Sequence, residues 1–115
     1  MSDPLKAHGR LWFTLAGVNF LGRGRVELLQ RIAETGSISQ AAKAMKMSYK
    51  AAWDAVDATN RAWGKPLVQS GPGGSKLTEE ATRLIAAFHE AESRHRQFLS
   101  ELEKSGPLAF LHKGS

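Results

Sequence analysis

The chain has no cysteine among its 115 residues, which excludes disulfides, zinc ribbons and thiol nucleophiles. No apolar run approaches the length needed to span a bilayer, and positions 1–10 are polar where an export signal would need an apolar centre. A soluble, cytoplasmic protein is therefore expected. Internal repeats and low-complexity blocks are missing as well, so 42% apolar content over this length describes one folded unit with a modest core. No paired acid and base, nucleophile elbow or phosphate loop stands out, which argues against an enzyme. Histidine does not fill that gap, because His89 and His95 are six apart on an expected helix and lack the i, i+4 spacing of a helical metal pair. No metal site is expected.

Positive charge, by contrast, is plentiful and unevenly placed. The net charge is +5, with eleven Lys or Arg against five acids up to Leu77 and five against six afterwards. A basic front portion is the electrostatic footprint of a phosphate-bearing partner.

The most informative segment lies within that portion, from Gly36 to Asp57, and reads GSISQAAKAMKMSYKAAWDAVD: two short helices joined by a tight turn. Ser37 can accept from the N–H groups that open the first helix, and Gln40 can reach back to complete a capping box. Ala41, Ala42, Met45 and Met47 are its apolar positions, and the adjacent alanines let another helix cross closely. Lys46 stands where such a turn often takes glycine, so a strained left-handed backbone is expected there. Ser48 supplies the second N-cap, after which Ala51, Ala52, Ala55 and Val56 continue an apolar face.

Tyr49, Lys50 and Asp54 are then left outside. In a helix-turn-helix the start of the second helix enters the major groove, so Ser48, Tyr49 and Lys50 would meet base edges and phosphates. Lys50 can donate to guanine O6 and N7, while Asp54 can accept from cytosine N4 or orient Lys50 as its i+4 neighbour. Ser37, Ser39 and Lys46 join them in the candidate DNA-contacting set. The plainer alternative is a scaffold hairpin in which Ser48 caps, Tyr49 packs and Lys50 is solvated.

Around this hairpin, Leu11 to Leu15 reads as a short strand, with turns marked by Asn19 and Gly22. Val26, Leu28, Leu29, Ile32 and Ala33 make an amphipathic helix that stops at Gly36. The second helix of the hairpin should reach Ala62 or Trp63, before Gly64 and Pro66. Leu67–Gln69 and Ser75–Leu77 are candidate strands bridged by SGPGG, a glycine-rich wing. There the N–H groups of Gly73, Gly74 and Ser75, with Lys76, could approach phosphates. Glycines demanded by a tight hairpin turn are the bland alternative. Trp12, Trp53 and Trp63 are expected in core or dimer packing rather than in base stacking.

Thr78 can cap a last long helix reaching about Lys104, with Glu79 and Glu80 near its positive end. Leu84, Phe88, Ala91, His95, Phe98 and Leu102 follow alternating three-and-four spacing along it, with Leu99 widening the seam, and together are the candidate dimerisation residues. A second copy is the expected partner for the later part of this seam, and a symmetric dimer would read an inverted-repeat operator. The division expected is a flexible N-terminus over 1–9, a winged helix-turn-helix over 10–77, a dimerisation helix over 78–104 and a tail over 105–115. The fold class is mainly α with a small β wing.

The run TGSISQAAKAMKMSYKAAWDAVDATN, followed by GKPLV and a glycine-rich wing ending in LT, resembles the DNA-binding domain of ModE-type molybdate-dependent regulators. It is more distantly similar to the LysR-type N-terminal domain. The likeness covers about Arg10 to Glu103. It implies a homodimeric transcription factor linked to molybdenum or oxyanion metabolism. Ser48, Tyr49 and Lys50 would open its recognition helix, Gly71 to Lys76 would form the wing, and Thr78 onward would be the dimer helix. Regulators of that family sense oxyanions through C-terminal molybdate-binding domains, for which the eleven residues after Lys104 leave no room. The DNA-binding part alone is therefore expected, with no cofactor and no molybdate site of its own.

Two rivals stand beside a specific regulator of double-stranded DNA. One is a protein-interaction winged helix tethering a separate effector-binding protein, and the other is a nonspecific nucleoid-type DNA binder. Salt separates the first, since phosphate contacts weaken steeply with ionic strength, and sequence preference separates the second.

Overall fold

A computed structural model of the chain describes residues 4–112. Its element order is β1 (Trp12–Leu15), β2 (Val18–Gly22), α1 (Arg23–Thr35), α2 (Ile38–Ala44), α3 (Tyr49–Trp63), β3 (Val68–Gly71), β4 (Gly74–Leu77) and α4 (Glu79–Ser105), followed by a 3-10 turn at Ala109–His112. The expected class, mainly α with a small β wing, is the one observed. Two units are distinguishable by their internal packing: Trp12–Phe88, and the described residues that precede and follow it.

In the first unit, α1, α2 and α3 pack around Val26, Leu28, Leu29, Ile32, Ala41, Ala42, Ala52 and Val56, and the start of α4 adds Ala81, Ile85 and Phe88. Ala41 and Ala52 have no exposed surface, as close crossing of two short helices requires. Ala33 and Ala51, read as apolar-face positions, are exposed instead. The buried line of α3 runs through Ala52, Val56 and Thr59, which turns Ala51 outward.

The stretch read as turns at Asn19 and Gly22 is strand β2. It pairs antiparallel with β1 around a two-residue turn at Ala16 and Gly17, whose φ values of 52° and 80° suit the sense of twist that tight hairpins require. The pairing passes from Phe13↔Leu21 to Thr14↔Asn19, so Phe20 is an extra, bulged residue. The bulge lets the consecutive Phe20 and Leu21 both face inward, which removes the alternation that would have marked a strand. Phe20 stacks on Trp63, with centroids 5.8 Å apart and planes 8° from parallel, and Phe13 meets Phe88 edge-on at 6.0 Å. Of the three tryptophans expected in packing, only Trp63 joins the core. Trp12 and Trp53 are 58% and 47% exposed.

Polar side chains fasten the elements to one another. Arg25 Nη1 donates to Thr59 Oγ1 at 3.1 Å and to the Asn19 carbonyl at 3.1 Å, joining the β1–β2 hairpin to α3. Thr59 is buried and donates in turn to the Ala55 carbonyl at 2.7 Å, so its hydroxyl is satisfied twice. Asn60 Oδ1 accepts from Leu67 N–H at 2.8 Å and from Val68 N–H at 3.3 Å, and its Nδ2 donates to the Val68 carbonyl, fixing where the β3–β4 hairpin begins. The Thr78 N–H closes the base of that hairpin on the Leu67 carbonyl at 2.9 Å.

In the second unit, residues 4–9 of the stretch expected as a flexible N-terminus lie along the latter part of α4, while positions 1–3 lie outside the described residues. Ala7 N–H donates to Glu103 Oε2 at 2.8 Å, and a Cβ at Gly9 would come within 3.0 Å of the His95 ring. The tail turns at Gly106, whose N–H meets the Leu102 carbonyl at 3.0 Å, and leaves Leu108, Phe110 and Leu111 exposed. No helix among the described residues is long and apolar enough to cross a membrane.

Candidate nucleic-acid interface

The two helices of the hairpin start where serine side chains make them start. Ser37 Oγ accepts from Gln40 N–H at 3.1 Å, and Ser48 Oγ accepts from Ala51 N–H at 3.1 Å. The reciprocal half of the expected capping box is made differently, since the Ser37 N–H donates to Thr35 Oγ1 at 3.3 Å rather than to Gln40. Between the helices Lys46 takes φ 56°, the left-handed backbone expected at this turn. A non-glycine residue is disfavoured there by roughly 1–2 kcal/mol. Met47 N–H donates to the Ala42 carbonyl at 2.9 Å and holds the turn closed.

Ser48, Tyr49, Lys50 and Asp54 all lie exposed along the first two turns of α3. Lys50 Nζ contacts Asp54 Oδ2 at 3.0 Å, the i+4 pairing anticipated from their spacing. Both side chains are largely in water, so the pair restrains direction more than it stabilises the fold. Ser39 is exposed on α2, together with Lys43 and the turn residue Lys46. Lys43, Lys46 and Lys76 make no ion pair among the described residues, whereas Arg31, Arg61 and Lys65 are each matched to an acid. Lys43 was not in the candidate set, although its place on the polar side of the Ala41–Ala42 face marked it. Trp53, expected in core or dimer packing, is 47% exposed instead; its i+4 relation to Tyr49, off the Ala52–Val56–Thr59 line, is the signal that places it outside the core.

The wing is built more tightly than its SGPGG bridge suggests. Ser70, Gly71 and Gly74 belong to the strands, so only Pro72 and Gly73 form the turn. Gly74 has φ 105°, and a Cβ there would lie 2.5 Å from the Gly36 carbonyl oxygen. Ser75 is buried, its N–H donates to that same oxygen at 2.8 Å, and its hydroxyl pairs with Ser70 at 2.9 Å. This corrects the expectation that Ser75 offers its amide to a phosphate, because the group is already committed inside the protein. Gly73 and Lys76 remain at the surface, beside a shallow depression that Gln69, Ser70 and Gly71 also line.

The candidate dimer residues separate into two groups. Phe88 is 2% exposed and Leu84 is packed on the same core, so both support their own unit rather than a partner. Ala91, His95, Leu99 and Leu102 are half-buried farther along α4, and Phe98 is 56% exposed.

Residues 24–82 match the family described as bacterial regulatory helix-turn-helix proteins of the lysR family. The chain belongs to that LysR family. Among curated proteins, this LysR-family chain is 44% identical over 90 residues to the molybdenum-pterin-binding protein MopB of Rhodobacter capsulatus, covering 74% of this chain and 33% of that protein. It is 42% identical over 95 residues to the transcriptional regulator ModE of Haemophilus influenzae, covering 77% of the chain and 37% of the relative. The chain thus spans about a third of the length of the curated relatives it matches. Among solved structures, the LysR family transcriptional regulator VV2_1132 superposes with a TM-score of 0.58 at 19% identity, over 76% of this chain and 30% of that one. The CbnR DNA-binding domain, solved with DNA, superposes at 0.50 with 21% identity, over 67% of this chain and 97% of that one. At those identities the likeness is one of fold.

Proposed function

We propose that this LysR-family chain is the DNA-binding part of a transcription regulator that acts as a homodimer on an inverted-repeat operator. The observation that carries the reading is the start of α3. Ser48 caps it, Tyr49 and Lys50 stand exposed upon it, and the lysines of α2 and the turn, which have no ion pair among the described residues, precede it. Lys50 reads a guanine edge once it leaves Asp54, while Lys43, Lys46, Lys76 and the Gly73 backbone contact phosphates. Ser37 and Ser39 lie at the edge of that contact.

The latter part of α4, from Ala91 through His95, Phe98 and Leu99 to Leu102, pairs two copies. Half-sites then lie about one helical turn apart, roughly 34–36 Å. The name of the relative MopB, a molybdenum-pterin-binding protein, supports a link to molybdenum metabolism.

Fluorescence anisotropy tests the reading, with the chain's own upstream DNA and a scrambled duplex of equal length at two salt concentrations, with and without molybdate. The expected result is a preference of about a hundredfold for the upstream DNA, worth roughly 2.7 kcal/mol, with affinity falling steeply as salt rises. Equal binding to both duplexes would favour a nonspecific coat, and salt-independent behaviour would favour a protein-docking module. Sedimentation at micromolar concentration checks the dimer, and a monomer at every concentration would remove the inverted repeat.

A further inference from the structure

Trp53 is the large apolar side chain that the packing of α3 does not account for. It is 47% exposed on a helix whose buried line runs through Ala52, Val56 and Thr59. Tyr49, one turn earlier on the same flank, is 56% exposed. On the adjoining strip, Lys50 and Asp54 hold each other at 3.0 Å. An indole in that position is costly to leave in water and brings an apolar face next to a cation that would draw it toward phosphates.

The major groove offers one strongly apolar group, the C5-methyl of thymine, which projects where side chains of a recognition helix arrive. We infer that Trp53 is a specificity-determining residue that packs its indole against a thymine methyl group one turn deeper along α3 than the base read by Lys50. This rests on the DNA-reading role proposed for α3. Tyr49 and Trp53 together then form an apolar flank that prefers A·T pairs, beside a Lys50–Asp54 strip that prefers G·C. The half-site recognised should accordingly join a guanine or cytosine to a thymine within the same few base pairs.

The test uses the full chain and a duplex it selects from a random-sequence library, with each thymine replaced singly by uracil, which lacks only the methyl group. For the native protein, uracil at one position per half-site should weaken binding about fourfold, the value of one apolar carbon removed from water. Trp53→Ala should bind the unmodified duplex more weakly and be indifferent to uracil at that position, while Trp53→Phe keeps part of the discrimination. Circular dichroism and the unfolding midpoint establish that each variant is folded; if the Ala variant is not, the Phe and Gln variants carry the comparison. The inference is overturned if folded Trp53 variants retain the full uracil effect, or if no thymine in the selected duplex shows one. Lys50→Ala separates the two levels. If Lys50→Ala alters the base preference while Trp53 variants do not, only the Trp53 assignment fails. If the native chain selects no duplex, the reading of α3 falls and takes Trp53 with it.

Discussion

The two β-hairpins of the Trp12–Phe88 unit have the same plan, four or five residues a side around a two-residue turn, yet they are held by opposite means. The β1–β2 hairpin is held by side chains: Phe20 and Leu21 enter the core through a bulge, and Arg25 ties its backbone to α3. The β3–β4 hairpin also sends Val68 into the core, but toward its turn it is held through its own backbone, by Asn60 at its base and by the Gly36 carbonyl against Gly74 and Ser75. The close approach is possible because glycine stands at position 74, where any Cβ would meet the Gly36 carbonyl.

Substitutions can break this contrast. The largest loss is expected for Gly74→Ala, which forces a Cβ onto the Gly36 carbonyl at a left-handed φ. It should cost roughly 3 kcal/mol, read from the urea midpoint, by adding backbone strain and breaking the Ser75 bond. An alanine accepted without loss would mean the wing is not fixed by its backbone. Asn60→Ala comes next. It strips partners from two N–H groups and a carbonyl at the base of the wing and should cost roughly 2 kcal/mol in thermal unfolding.

On the other hairpin, Arg25→Met keeps the stem but leaves Thr59 and the strand carbonyls with fewer partners, so about 1 kcal/mol is expected, with Phe20 still buried. A loss larger than that of Asn60→Ala would reverse the comparison. The smallest change is a gain. Ala16 has φ 52°, so Ala16→Gly should raise stability by about 0.5 kcal/mol, once the relief of strain is set against the added freedom of the unfolded chain.

The difference between the hairpins also explains what could be read from the sequence. Helix starts at Ser37, Ser48 and Thr78 and stops at Gly36 and Gly64 are local chemistry, in which a hydroxyl caps or a glycine takes positive φ within a few residues. These were legible, and so were the turn strain at Lys46 and the Lys50–Asp54 pair. Strand β2 was not, because a bulge places Phe20 and Leu21 on one face and destroys the period that marks a strand. Ser75 was misread because its partner, Gly36, is far off in sequence, and Leu84 and Phe88 because one helical seam serves the core first and then continues beyond it. Within the candidate interface, exposure at the α3 start follows from helical geometry alone. Which surface groups stay uncommitted depends on tertiary bonds that no short window contains.

The bond from the Ser75 amide to the Gly36 carbonyl also bears on motion. Gly36 ends α1 and immediately precedes the cap of α2, so the wing is moored at the point where the α2–α3 hairpin begins. An amide five residues from a solvent-washed strand partner should therefore exchange with deuterium as slowly as those of the neighbouring helices, because its release requires opening at the α1–α2 junction. The wing then moves with the α2–α3 hairpin, and under the proposed DNA-reading role the distance between the two along a duplex would be a fixed gauge.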